Sequence, residues 1–155
     1  MTSEQQVLSA LAKTAFRLNG QLLAVGEELA ASAGLTASLW LVLGSVLEAA
    51  RTVADIARDI GVTRQSAQRT ANLLVDRGLA AFRPNPAHRR AKLLEPTQEG
   101  RDAIRRIAPA HGDYARRFVD AIGAEEAVRM LAATTALFDA LQRVGLPSDD
   151  TEPSR

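Results

Sequence analysis

The 155 residues contain no cysteine. That one absence excludes a disulfide framework, a thiolate zinc site, a cysteine nucleophile and thiol-based redox sensing. Histidine is nearly as scarce. With only His88 and His111 available, a metal site would have to lean on carboxylates, and neither a metal nor a cofactor is expected. Long apolar runs are missing too: the longest, Leu39–Leu43, falls far short of the ~18 residues that cross a bilayer. The opening residues Met1–Gln6 are polar and acidic, without the basic start and apolar stretch of a signal peptide, so a cytoplasmic location without a membrane partner is expected. Enzyme signatures are absent as well. There is no G-x-S-x-G, Gly-rich phosphate loop, H-E-x-x-H or pair of carboxylates beside a base, so no catalytic residue is expected.

What is present is an ordinary globular composition, 46% hydrophobic and 24% charged. A chain of this size buries roughly 68–70% of its unfolded surface, which suffices for a core without staples. Net charge is only +1, but it is unevenly spread. Residues 51–92 hold nine Lys/Arg against three acids, a net of +6, while the rest of the chain carries −5. A cationic middle between acidic flanks points to a polyanionic partner.

Hydrophobic periodicity and capping residues divide the chain into six helices and a short hairpin. The first helix is expected from Glu4 to about Ala33, with Val7, Leu8, Leu11, Ala15, Leu18, Leu22, Val25 and Leu29 at helical spacing. Gly34 stands where a left-handed cap would stop it, and Asn19-Gly20 marks a candidate bend. Thirty residues is long for a helix within one small domain, and it calls for a second surface. Thr36 is the expected cap of Ala37–Leu47, which is apolar nearly all round and therefore assigned to the core. Thr52 caps a short helix with Asp55 three residues on, and Gly61 ends it. Thr63 caps the next, which runs to about Arg77 with Ala67, Thr70, Ala71, Leu74 and Leu73 as its candidate buried stripe.

Leu79–Arg83 and Ala91–Glu95 fit a short antiparallel hairpin, since Pro84 and Pro86 forbid a helix between them. Thr97 caps a fifth helix whose apolar side holds Ile104, Ile107, Ala108, His111, Ala115, Phe118 and Ile122, with a kink expected at Pro109. Ala124–Val144 forms the last helix, and Ser148–Arg155 reads as a disordered tail.

Thr52–Gly78 carries the functional signal. A short helix, a tight turn at Gly61-Val62-Thr63 and a helix with a small-polar and basic N-terminal face form the helix-turn-helix pattern. Side chains that meet base edges must be donors or acceptors on a backbone able to come close. Thr63, Arg64, Gln65, Ser66, Gln68 and Arg69 meet that need, because Gln pairs bidentately with adenine and Arg with guanine. The basic hairpin that follows makes this a winged helix.

From Leu35 to Arg101 the sequence resembles the MarR family of dimeric winged-helix transcription regulators. The matching stretches are Leu35–Leu43, Val53–Ala57, Val62–Arg69, Leu74–Leu79, His88–Leu94 and Thr97–Gly100. The resemblance implies a mainly α fold of the α+β winged-helix type, with six helices, a β-hairpin wing and an obligate-type homodimer. It implies a helical dimerisation region at 1–34 and 101–147, and a DNA-binding region at 35–100. The helix after Thr63 would enter the major groove and Arg90 the minor groove. Arg83, Arg89 and Lys92 are expected on phosphates. The family's wing usually has an aspartate two residues before that arginine; here the position is His88, which cannot form the ion pair and gains a phosphate contact when charged. In resembling proteins small aromatic or lipophilic compounds bind between the dimerisation helices and the winged helix, which makes Arg17, Trp40, His111 and Tyr114 candidate pocket residues. The absent cysteine removes the family's peroxide-sensing branch.

The expected function is sequence-specific binding of double-stranded DNA at a pseudo-palindromic operator. The expected role is a repressor released by a small-molecule effector. Two alternatives stay open at this point: a winged helix that binds protein, and a DNA-binding protein without an effector.

Overall fold

In the computed structural model the described residues are 2–145; the expected tail at 148–155 lies outside them. The elements in chain order are α1 (Ser3–Ala31), α2 (Ala37–Gly44), β1 (Arg51–Thr52), α3 (Val53–Ile60), α4 (Arg64–Asp76), β2 (Ala80–Arg83), β3 (Leu93–Pro96), α5 (Gln98–Ile122) and α6 (Ala124–Val144). They form two units, one ending at His111 and the other beginning at Gly112, so the boundary falls inside α5. Six helices and a small sheet match the expected winged-helix class.

Threonine hydroxyls start most of the helices. Thr2 accepts from the Gln5 N–H while the Gln5 side chain accepts from the Thr2 N–H, a reciprocal pair that opens α1. Thr36, Thr52, Thr63 and Thr97 likewise accept from Leu39, Asp55, Ser66 and Gly100. Helix α1 ends as expected: the Leu35 N–H reaches the Ala30 carbonyl and the Gly34 N–H that of Ala31, with Gly34 at φ +68°. The helix runs unbroken through Asn19-Gly20, and α5 runs unbroken through Pro109.

The helices need three corrections. Helix α2 stops at Gly44 rather than Leu47, because Ser45 turns its hydroxyl back to the Val42 carbonyl (2.7 Å) and tight turns take over. Its sides are also unequal: Leu39, Val42 and Leu43 are buried, but Leu41 is exposed. On α4 the buried stripe is Ala67, Ala71 and Leu74, while Leu73 points to solvent and the half-buried Val75 packs against the core instead.

The sheet differs most. It has three strands in the order β1-β3-β2, all antiparallel, where the sequence pointed to two. Arg51 and Thr52 pair with Leu94 and Leu93. Strand β3 begins two residues later than expected, because this register sends Leu94 into the core and sets Pro96 opposite Ala80.

One continuous core holds these pieces together. Leu39, Leu43, Ile56, Leu74, Leu94 and Ile107 are its largest fully buried side chains, drawn from α2, α3, α4, β3 and α5. Helix α5 can seat against the rest only through Gly100, where an added Cβ would lie 2.0 Å from the Leu79 carbonyl oxygen. Thr97 fixes the same junction, donating its hydroxyl to the Gly78 carbonyl at 2.6 Å.

Candidate nucleic-acid interface

Helices α3 and α4 are joined by a turn in which Gly61 takes φ +71°, which is costly for any residue with a Cβ. Val62 then closes the end of α3 by donating to the Ala57 carbonyl. Thr63 caps α4, and its hydroxyl engages the Ser66 N–H at 3.1 Å. Thr63 therefore serves the helix end itself. Ser66 is exposed, and its carbonyl accepts from the Thr70 hydroxyl.

Burial of Ala67, Ala71 and Leu74 fixes the rotation of α4, so the opposite side must face out. That side is one shallow surface lined by Arg64, Gln65, Gln68, Arg69 and Asn72. It has no acidic residue. Within it the Gln68 side-chain amide donates to Asn72 Oδ1 at 2.9 Å.

The wing brings a second group of cations to the same helix. A cleft of ≈ 290 Å³ is lined by Arg64 and Gln68 from α4 and by Arg90, Ala91 and Lys92 from the wing. Phe82 and the start of α3 (Thr52, Val53, Ala54) complete it. Arg64, Arg69, Arg89, Arg90 and Lys92 take part in none of the ion pairs found among the described residues. On α5 and α6, three arginines are paired within one turn, as Arg105–Asp102, Arg116–Asp113 and Arg129–Glu126 show. Cations outside these ion pairs thus gather on α4 and the wing.

Two wing residues sit differently from the others. Arg83 is held by Glu95 at 2.8 Å, a diagonal pair between β2 and β3, so its charge is already partnered. His88 is exposed in the turn after Pro86; its N–H meets the Asn85 carbonyl and its carbonyl accepts from Ala91. Those bonds are all backbone, and the imidazole faces solvent beside Arg89 and Arg90.

The start of α3 escaped the reading of site residues, although Thr52 was legible as its cap. The Thr52 hydroxyl accepts from the Asp55 N–H and donates to Asp55 Oδ2 (2.6 Å), and this bond holds the Asp55 carboxyl below its ordinary value. Arg58 adds to the effect from one turn along.

Of the four candidate effector residues, Arg17, Trp40 and His111 lie in the first unit and Tyr114 in the second. Trp40 is half-buried against the core and meets His111 edge-on, with ring centroids 5.1 Å apart. Arg17 lines a separate shallow surface on α1 with Thr14, Leu18, Gly20 and Gln21. Tyr114 lies under the Arg117 guanidinium at 5.6 Å. No cluster of His, Asp or Glu able to hold a metal occurs among the described residues, and no described helix is long and apolar enough to cross a membrane.

Comparison with known proteins is consistent in one direction. The model of the MarR family matches residues 33–91. The uncharacterized protein Rv2011c of Mycobacterium tuberculosis is 39% identical over 137 residues, spanning 88% of this chain and 91% of that one. Among solved structures, a mutant of Escherichia coli MarR complexed with operator DNA superposes with a TM-score of 0.75 at 19% identity, covering 88% of this chain and 99% of that one. The transcriptional regulator BldR of Sulfolobus solfataricus gives 0.75 at 16% identity, with 91% and 100% covered.

Proposed function

We propose that the chain belongs to the MarR family, whose model matches residues 33–91, and that it is a homodimeric transcriptional regulator that binds double-stranded DNA at a near-palindromic operator. One observation carries the reading: α4 and the wing direct unpaired cations into a shared cleft, beside a helix face made of amides and guanidinium groups. Arg90 and Lys92 on one wall and Arg64 on the other fit a sugar–phosphate backbone running along the cleft. Gln65, Gln68 and Arg69 on the free face fit base edges in the major groove. A structural relative of the same fold has been crystallised with operator DNA.

The second copy is proposed for a separate reason. In α1, Val7, Leu8, Leu11, Leu18 and Leu22 are exposed along the length of the helix. In α6 no residue is buried, and Leu131 is 69% exposed. Single exposed leucines need no explanation, but two helices with uncovered apolar stripes do. A symmetric partner would cover them and hold two α4 helices about one DNA turn apart, roughly 34 Å.

The finer part of the proposal is repression in the cytoplasm, relieved by a small lipophilic or aromatic effector. Its support is the resemblance to the MarR family, in which such compounds bind between the dimerisation helices and the winged helix; Trp40, packed edge-on against His111, is the probe. Trp40 is the sole tryptophan, so its emission reports the site directly. Titration with benzoate-type carboxylates should change that emission and release DNA together; release without a change at Trp40, or neither, overturns this part.

The main test is selection of bound sequences from a random duplex pool. An inverted repeat is expected, with affinity falling steeply between ~50 and ~200 mM salt. No enrichment, with a partner held independently of salt, would instead make this a protein-binding winged helix.

A further inference from the structure

On α4, Gln68 and Asn72 stand one turn apart on the outward face, and the Gln68 amide nitrogen donates to Asn72 Oδ1 at 2.9 Å. A glutamine amide turned by half a rotation exchanges its donor and its acceptor, so a free Gln68 would offer either order to a base. The bond to Asn72 Oδ1 holds the Gln68 side chain against α4 in one order. It uses one of the two Nε2 hydrogens and leaves the other, together with Oε1, as a donor–acceptor edge. Neither that oxygen nor the Asn72 amide nitrogen enters another hydrogen bond found among the described residues.

We propose that Asn72 is a positioning residue that holds Gln68 with its donor–acceptor edge facing outward, so that each half-site prefers adenine over thymine on one strand at the position Gln68 reads. The inference rests on the DNA-reading function proposed above and deepens it. In the major groove adenine N7 accepts and the N6 amino group donates. The remaining Gln68 N–H donates to N7, and Oε1 accepts from N6. Thymine offers only O4 and a methyl group there and cannot satisfy that edge. Asn72 touches no base in this arrangement; it acts through Gln68.

The test compares base-preference profiles from random-pool selection for wild type, Gln68→Ala, Asn72→Ala and Asn72→Asp. Asn72 is exposed, so its variants should melt as wild type does. Wild type should favour adenine at one position per half-site by about 5- to 150-fold. Gln68→Ala should flatten that position, Asn72→Ala should weaken its preference, and both should leave the salt slope unchanged, because phosphate contacts are untouched. Asn72→Asp can only accept, so it should keep the adenine preference while weakening overall affinity. An Asn72→Ala profile identical to wild type overturns the positioning role but leaves DNA reading intact, as does an adenine preference that survives Gln68→Ala. No enrichment by wild type overturns DNA reading itself, and this inference with it.

Discussion

Among the described residues, all buried apolar side chains except Ala30 lie between Leu35 and Ile107. The two long helices near the ends of the chain behave in the opposite way. Residues 3–24 of α1 are exposed throughout, and α6 buries nothing. The middle of the sequence therefore completes its core within one chain, whereas α1 and α6 carry apolar stripes that a single chain leaves in water. The difference fits the proposed division between a DNA-reading middle and dimerising end helices. A reading head must hold its shape before it meets DNA, so its core is self-contained; a clasp is finished only by its counterpart.

The largest expected effect comes from breaking the clasp. Leu8→Glu combined with Leu131→Glu places charge in both uncovered stripes and touches nothing in the buried core. Operator affinity should fall by about 10²–10⁴, the advantage that linking two binding modules provides. Calorimetry should still show a cooperative transition for the core. If affinity is unchanged in a gel-shift titration, α1 and α6 do not hold the two heads together.

Breaking the core instead should unfold the head. Gly100→Ala forces a methyl group to within 2.0 Å of the Leu79 carbonyl oxygen, a backbone atom that cannot swing aside. A loss of about 3 kcal/mol or more is expected in urea unfolding. A change below about 1 kcal/mol would mean that the α5 junction yields easily.

A smaller change sharpens the comparison within the head. Arg90→Ala removes one unpaired cation from the cleft without touching a core residue. Affinity should drop about tenfold, and the slope of log affinity against log salt should fall by about one. An unchanged slope would take Arg90 off the DNA backbone and out of the narrow groove alike.

The smallest effect is one of pH. The Asp55 carboxyl titrates below its ordinary 3.8 in the folded chain, chiefly because of the Thr52 hydroxyl. A lowered folded value means that the stabilisation is complete above the unfolded value and is lost as pH falls through 3.8 and beyond. Asp55→Asn should therefore melt slightly below wild type at neutral pH, and the gap should close in acid. A gap that persists at low pH would trace the difference to packing rather than charge.

Much of this was legible because threonine and glycine punctuate the chain. Thr36, Thr52 and Thr63 start helices, and Gly34, Gly61 and Gly78 occupy the left-handed positions that end or follow them. The polar face of α4 was legible for the same reason, since a buried Ala67-Ala71-Leu74 stripe dictates what lies opposite. Strand β1 was not. Two residues have no alternation to detect, and Arg51-Thr52 becomes a strand only because β3 lies alongside. The same dependence on register hid the Arg83–Glu95 pair and the meeting of the wing with the start of α3. Leu73 was misassigned because it borders the buried stripe, and one step around the helix separates core from solvent.

Sedimentation equilibrium of the 155-residue chain at low micromolar concentration tests the central claim most directly. The account predicts a mass of about twice the 16.6 kDa of one chain, with two chains on each operator duplex. A single-chain mass, persisting when operator DNA is added, would contradict it.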